Sequence, residues 1–202
     1  MKYLIRFFDV IISVLLLVLL FPFMLLAVLL IKISSKGPAI FCQQRVGKND
    51  INFTLFKFRT MYVNTNNKTS LTIGNRDNRV TKVGYYLRKY KIDELPQLYN
   101  VLKNDMSIVG PRPELRKYVE MYSQEQRKVL EIKPGITDYA SIHFRNENEL
   151  LAIQTDPETF YVNDIMPVKI QLNSLYASKM NLWVYFVIIF NTLKSVFKSP
   201  IT

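Results

Sequence analysis

From Val10 to Ile31 every position is apolar except Ser13 and Pro22. A helix rising about 1.5 Å per residue crosses a hydrocarbon core in roughly 20 residues, so this run is long enough to be a membrane segment. It is too long for the apolar core of a cleaved signal peptide, and no small-x-small cleavage site follows it. A plain span is the default for such a run. Lys2 and Arg6 precede it and Lys32 and Lys36 follow it, so the positive-inside rule gives no orientation. Pro22 lies near the centre, where it removes a backbone hydrogen bond and bends the helix. Bent there and cationic at both ends, the segment could enter one leaflet and return to the same face. The residues alone leave the plain span slightly ahead of that form.

After Gly37-Pro38 the pattern changes to that of a soluble protein. Ala39 to Val46 reads as a short extended segment. In Phe53 to Met61 (FTLFKFRTM), Phe56 and Phe58 alternate with Lys57 and Arg59, as in a half-buried strand. Asn64 to Ser70 is polar and Asn-rich, which predicts an exposed loop. Leu95, Leu98, Tyr99 and Leu102 then recur at helical spacing, with Pro96 in the expected first turn. This places Asp93 at or near the N-cap and Glu94 at the first helical position, beside amide donors suited to an anion. Met106 to Pro113 (MSIVGPRP) is a short apolar run closing in a rigid turn. Ser123 and Gln126 form a capping-box signature for a helix to about Ile132, which Lys133 to Thr137 (KPGIT) ends. An irregular polar stretch with His143 and Arg145 follows, and Pro157 and Pro167 each look like first-turn helix prolines. Leu182 to Phe190 is too short to span a bilayer. Trp183 and Tyr185 suit a headgroup interface, so an interfacial helix and a buried core helix are equally supported there.

The chain has 202 residues, enough for one domain with its own core, and no internal repeat or low-complexity linker divides it. Its 27 Lys and Arg against 16 Asp and Glu give a net charge of +11, which calls for an anionic partner. The basic stretch Arg76, Arg79, Lys82, Arg88, Lys89 and Lys91 feeds directly into Asp93, so gathering an anionic substrate or docking on anionic lipid competes with a merely solvated face. No nucleic-acid-binding module accompanies it. Cys42 and His143 are the only cysteine and histidine, which excludes a disulfide framework and leaves little room for a zinc site. Any acid, base or nucleophile is then expected to be a carboxylate. On the Asp93–Glu94 pair alone, helix capping outweighs catalysis, although a carboxylate kept ionised there could attack a phosphate. Arg112, between Pro111 and Pro113, is either a solvated turn residue or a guanidinium pre-aimed at a phosphate. Arg145 is an equally open candidate for a second phosphate or nucleotide contact.

The order of FKFRTM, DELPQL, NVLKNDMSIVGPRP and KPGIT behind an apolar N-terminal segment resembles the bacterial sugar transferases, the small monotopic phosphoglycosyl transferases, along almost the whole chain. The resemblance implies transfer of a sugar-1-phosphate from a nucleotide diphosphate sugar, usually a UDP-sugar, to polyprenyl phosphate, with release of UMP. It implies Asp93 as nucleophile forming a covalent phosphosugar, Glu94 as its dyad partner, and Mg²⁺ as cofactor, held by Asp93 and Glu94. Arg59, Arg88, Arg112 and Arg145 fall on basic substrate-binding positions. It implies an α/β, mostly helical, membrane-associated fold. Residues 1–36 would form a re-entrant hairpin broken at Pro22. Residues 37–202 would form a catalytic unit with short strands and amphipathic interfacial helices, continuous in function with the hairpin. Such a protein sits on the cytoplasmic face of the bacterial inner membrane, contacts membrane lipid rather than nucleic acid, and leaves a homodimer open.

The sequence departs from the family at two places. Phe21 precedes the breaking proline where relatives often carry serine, and Asp138 to Ser141 reads DYAS where many read GLAQ. The donor sugar is therefore not implied. The alternative from another class is a non-enzymatic, membrane-anchored protein that binds anionic lipid or nucleic acid through its basic stretch; its binding would depend steeply on salt and not on Asp93.

Overall fold

The computed structural model describes residues 1–63, 74 and 77–197. The expected polar loop at Asn64–Ser70, together with Arg76 and Lys198, lies outside the described residues. Helix α1 runs from Lys2 to Ser34, 33 residues, and continues through Pro22. It is the one described helix long and apolar enough to cross a membrane. Its buried residues fall in two groups: Ile5, Asp9 and Ser13 near the start, and Ala27 and Ile31 near the end. The four-residue spacing puts each group on one helix face. No residue between them is buried, and Val18 and Phe23 are 73% and 63% exposed.

Both ends of α1 seat on the rest of the protein. At the start, the Arg6 guanidinium donates to the carbonyls of Val101 (2.6 Å) and Leu102 (3.1 Å), where the helix Gln97–Leu102 has free acceptors. At the end, Ala27 and Ile31 join a cluster with Ala39, Phe58 and Leu87.

Strands β1 (Ile40–Val46) and β2 (Asn52–Phe58) form an antiparallel hairpin, with Ile40 opposite Phe58 and Val46 opposite Asn52. These correspond to the expected extended segment and the FTLFKF strand. Met61 bridges to Val80, and Thr81 caps α2 (Lys82–Lys89). A 3₁₀ turn (Ile92–Glu94) leads into α3 (Gln97–Leu102). Then β3 (Ser107–Val109) pairs in parallel with β4 (Gly135–Thr137), Ser107 opposite Gly135 and Val109 opposite Thr137. The SIVG and PGIT segments are thus one structural unit. The backbones approach so closely that a Cβ on Gly135 would clash with the Gly110 nitrogen, and one on Gly110 with the Lys133 carbonyl, which explains a glycine at both places.

Between β3 and β4 lie α4 (Arg116–Val119) and α5 (Gln124–Arg127). The capping box between Ser123 and Gln126 is formed as expected, and α5 tightens into a 3₁₀ turn over Lys128–Glu131. Next come α6 (Tyr139–His143), α7 (Glu147–Ala152) and α8 (Pro157–Phe160). A π turn (Tyr161–Ile165) carries α8 into α9 (Met166–Ser178), and Pro157 and Pro167 occupy first-turn positions. The last helix, α10, covers Leu182–Phe197.

Helix α10 satisfies both expectations made for it, on different faces. Tyr185 and Ile188 are fully buried, whereas Trp183, Phe186, Phe190 and Leu193 form an exposed apolar stripe. The headgroup position expected for Tyr185 is therefore corrected: its hydroxyl donates to buried Asp9 of α1 at 2.9 Å. A phenol with an apolar body is well placed in a core when its hydroxyl finds a partner. The mixed, mostly helical α/β architecture with short strands agrees with the sequence, and the length and apolar character of α1 point to membrane association.

Candidate active site

The acidic pair is placed by a change of direction after α2. Lys91 adopts a left-handed backbone (φ +57°), and the chain closes a tight turn through Glu94 N–H to Lys91 C=O at 3.2 Å. This corrects the capping expectation. Pro96, not Asp93, occupies the N-cap position of α3, because the 3₁₀ turn uses up Ile92–Glu94 before the helix begins. Asp93 caps nothing, and the helix-start anion site expected around it does not form. Asp93 and Glu94 are instead both buried, 7% and 8% exposed, on the wall of a cleft of about 1060 Å³.

The two carboxyls are treated differently by their surroundings. Glu94 receives a bidentate pair from Arg112, at 2.5 and 3.2 Å, and Lys57 Nζ lies 3.7 Å away. Burial alone would raise its pKa; the Arg112 and Lys57 charges outweigh burial and hold the carboxyl well below the usual range. Asp93 is shifted upward by burial and then by the adjacent Glu94 charge, with Lys57, Lys91 and Arg88 opposing. Its Oδ1 is buried and has no hydrogen-bond partner. Buried polar atoms are nearly always paired, so an orphaned carboxylate oxygen on a cleft wall marks a place for a ligand. Lys57 itself is pulled down to about 8 by burial, against the upward pull of Glu94.

The four arginines expected at the site take different places. Arg112 is on the Glu94 side, and its backbone N–H donates to Asp138 Oδ2 at 2.9 Å. Arg88, on α2, reaches Thr60 Oγ1 with its Nε (2.9 Å) and carries its charge near Asp93. Arg145 lies on the cleft wall beyond α6. Arg59 also lines the cleft, but its guanidinium holds the linker behind α1, donating to the carbonyls of Lys36 (2.7 Å) and Ser35 (2.8 Å) and to Ser35 Oγ (3.0 Å). That geometry suits a positioning residue. His143 is exposed.

Three features were not anticipated. Lys57 reads in sequence as the solvent side of an alternating strand, yet its face of β2 forms part of the cleft wall, beside Glu94. Asp138, fully buried, caps α6 through Ser141 N–H and anchors Arg112 with its other oxygen. Glu114 accepts from Arg45 at 3.3 Å and from the Tyr161 hydroxyl, joining β1 to the π turn across the cleft. A partial signal existed for Asp138, which lies where the sequence departs from the family pattern. Glu114 and Tyr161 are 47 residues apart, and no local pattern connects them.

No group of three or more His, Cys, Asp or Glu side chains is gathered to hold a metal among the described residues. The donor set nevertheless fits Mg²⁺ of the kind bound with a substrate, which takes one or two carboxylate oxygens and fills its remaining positions with phosphate and water. Asp93 is the carboxyl available to it, since both Glu94 oxygens face Arg112.

Known proteins share this arrangement of sequence. The chain is 35% identical over 196 residues to the UDP-N-acetylgalactosamine-undecaprenyl-phosphate N-acetylgalactosaminephosphotransferase of Aeromonas hydrophila, covering 95% of this chain and 43% of that one. It is 38% identical over 192 residues to the UDP-glucose:undecaprenyl-phosphate glucose-1-phosphate transferase of Klebsiella pneumoniae, covering 93% and 39%. Against the protein of that same name from Caulobacter vibrioides it is 36% identical over 194 residues, covering 95% and 68%. The chain thus spans less than half the length of the first two of these relatives. Residues 1–199 match the family described as Bacterial sugar transferase, and with identity at this level across both the apolar helix and the acidic cleft, the chain belongs to the bacterial sugar transferase family.

Proposed function

We propose that this protein transfers a sugar-1-phosphate from a UDP-sugar to undecaprenyl phosphate, releasing UMP, as the first membrane step of glycan assembly. The observation that carries the reading is the buried, unpartnered Oδ1 of Asp93, facing a cleft lined by Lys57, Arg88 and Arg112. A diphosphate repels an attacking carboxylate unless its charge is neutralised, and fixed cations supply that with no reorganisation during the reaction. The relatives' names supply the substrate classes.

In the proposed course, Asp93 Oδ1 attacks the phosphorus that bears the sugar. The bond from that phosphorus to the UMP oxygen breaks, and UMP leaves with the electron pair. An oxygen of undecaprenyl phosphate then attacks the same phosphorus and displaces the Asp93 carboxylate, leaving a diphosphate-linked sugar lipid. Glu94, held ionised by Arg112 and Lys57, fixes both cations beside the reacting phosphate. Mg²⁺, held by Asp93 with the donor's phosphate oxygens, would add charge neutralisation. Arg88 and Arg145 are assigned to the substrate phosphates, and Arg59 to holding the linker behind α1.

The seating of both ends of α1 on one body, with the stretch between them exposed, supports a re-entrant helix bent at Pro22; the family resemblance is what assigns its entry to the cytoplasmic face of the bacterial inner membrane. Cysteines introduced at positions 2 and 36 should both react from the cytoplasmic side; labelling from opposite sides would overturn this topology.

The chemistry is tested by mass spectrometry of the protein mixed with a UDP-sugar and Mg²⁺ alone. The expected result is an added phosphosugar on Asp93, absent in Asp93→Asn, with UMP release lost together with the adduct. UMP release that survives in Asp93→Asn would remove Asp93 as nucleophile. Intersecting rather than parallel-line bisubstrate kinetics would favour a single transfer step with Asp93 as base.

A further inference from the structure

Three buried polar atoms on the cleft wall, apart from the acidic pair, have no partner: Arg59 Nε, whose guanidinium is otherwise engaged by the linker behind α1, and two uncharged ones, Ser141 Oγ on α6 and Asn173 Oδ1 on α9. Helices α6 and α9 pack against each other, and Asn173 is only 6% exposed. On α9 the residues lining the cleft are Met166, Lys169, Ile170 and Asn173, a single face at helical spacing, so Asn173 belongs to the wall rather than to the core behind it. A buried hydroxyl and a buried carboxamide oxygen that no protein group pairs each carry a desolvation cost, and a bound ligand relieves it.

Their position is tied to the reacting centre through a short chain of contacts. Glu94 holds Arg112; the Arg112 backbone N–H donates to one oxygen of Asp138, and the other oxygen of Asp138 accepts from the Ser141 N–H. One carboxylate therefore separates Ser141 from the cation paired with the dyad. The charges that suit a diphosphate are at the dyad end, in Lys57, Arg88 and Arg112. The Ser141–Asn173 pair is uncharged and offers a hydroxyl and a carboxamide. A neutral polyhydroxyl group attached directly to the reacting phosphorus is the part of the donor that matches it.

We infer that Ser141 and Asn173 read the hydroxyl or N-acyl groups of the donor's glycosyl unit, a neutral hexose or N-acetylhexosamine, and set which sugar is taken. The inference rests on the transfer reading above. A site built to bond a particular hydroxyl discriminates against an epimer because the mismatch leaves its buried groups unpaired.

The test uses the full-length chain in lipid nanodiscs with undecaprenyl phosphate and Mg²⁺. UMP release is measured with UDP-glucose, UDP-galactose, UDP-N-acetylglucosamine and UDP-N-acetylgalactosamine for the wild type, Ser141→Ala and Asn173→Leu. The preferred donor should lose about 10- to 100-fold in kcat/KM in the variants while the poorer donors lose less, so that the preference flattens. UDP affinity should be unchanged, and the melting temperature should not fall, since neither atom has a bond to lose. If Asn173→Leu does not fold, the pair is structural and the inference fails, unless Asn173→Ser folds and flattens the preference. An equal loss for all donors, or an unmoved preference, overturns the inference while leaving the transfer reading intact. A wild type that releases UMP from none of the four donors overturns the transfer reading itself and this inference with it.

Discussion

Replacing Lys57 with methionine keeps an unbranched stem of similar length and removes an ammonium 3.7 Å from Glu94. In the folded protein that ammonium titrates at about 8 rather than the ordinary 10.5, because burial outweighs the pull of Glu94. A pKa unit corresponds to about 1.4 kcal/mol, so the charged lysine sits in the fold at a net cost of about 3 kcal/mol. The lowered pKa fixes the sign. Below about 8 both states hold the proton and the full cost is present; between about 8 and 10.5 the unfolded chain keeps a proton the native state has shed, so stability rises with pH. Above 10.5 the cost is gone.

Methionine resembles the neutral lysine stem, so Lys57→Met should stabilise the protein at pH 7 by up to about 3 kcal/mol, a rise in melting temperature of roughly 6–12 °C for a chain of this size. The same substitution removes a cation facing both carboxyls of the dyad, and loss of one such preorganised charge should lower UMP release by about 10²- to 10³-fold. The assay pairs thermal melts at pH 7 and above pH 10.5 with UMP release. The stability gain should be large at pH 7 and vanish at the higher pH. A lower melting temperature at pH 7, a pH-independent gain, or wild-type turnover would each refute the reasoning that Lys57 is held charged for the reaction at the expense of the fold.

Arg112→Ala leaves the buried Glu94 with the Lys57 and Lys91 charges but no hydrogen-bonding guanidinium, and should destabilise by about 1.5–3 kcal/mol in a denaturant melt; Arg112→Lys should recover little, because the bidentate geometry is lost. Asp93→Asn should abolish the adduct without lowering the melting temperature. Its carboxyl is raised above 3.8 by burial, so the wild type loses stability relative to the asparagine variant as pH climbs through that range, and parallel stability curves would contradict this. Asp9→Ala strands the Ser107 hydroxyl, the Ile108 amide and the Tyr185 hydroxyl, all of which donate to that carboxylate, and at about 1–3 kcal/mol per orphaned group should unfold the protein well below the wild-type temperature.

The elements with strong local signals were legible in the sequence: the apolar α1, the hairpin strands, the Ser123 capping box and the two first-turn prolines. The acidic pair was legible as a candidate, but its local geometry was not. Apolar spacing from Leu95 onward cannot reveal that Lys91 turns left-handed and that the next residues close a 3₁₀ turn, which removes Asp93 from its expected cap. Lys57 was misread because period-2 alternation assumes an outer face in bulk solvent, and at that end of β2 this face lines the cleft beside Glu94. Asp9 passed unnoticed because a lone acid just before an apolar run looks like a flanking charge; its three donors lie 98, 99 and 176 residues away.

The least local of these features explains why a membrane helix and a charged cleft form one unit. Asp9, near the start of α1, holds Ser107 and Ile108 of β3, and five residues after Ser107 the chain presents Arg112 to Glu94. Ala27 and Ile31, near its end, pack against Phe58 and Leu87, the immediate neighbours in sequence of Lys57, Arg59 and Arg88. Each end of α1 is thus fixed to an element that carries, or leads directly into, a cation of the cleft. A displacement of α1 relative to the body would move Arg112 at one end and Lys57 and Arg88 at the other, by way of contacts that are buried and, at Asp9, hydrogen-bonded. Charge placement within about 1 Å matters to phosphoryl chemistry, so the seating of α1 and the competence of the cleft are set by the same contacts. This also accounts for an ionisable side chain being buried against an otherwise apolar helix: the Asp9 carboxylate accepts from two elements at once, which an apolar side chain there could not do.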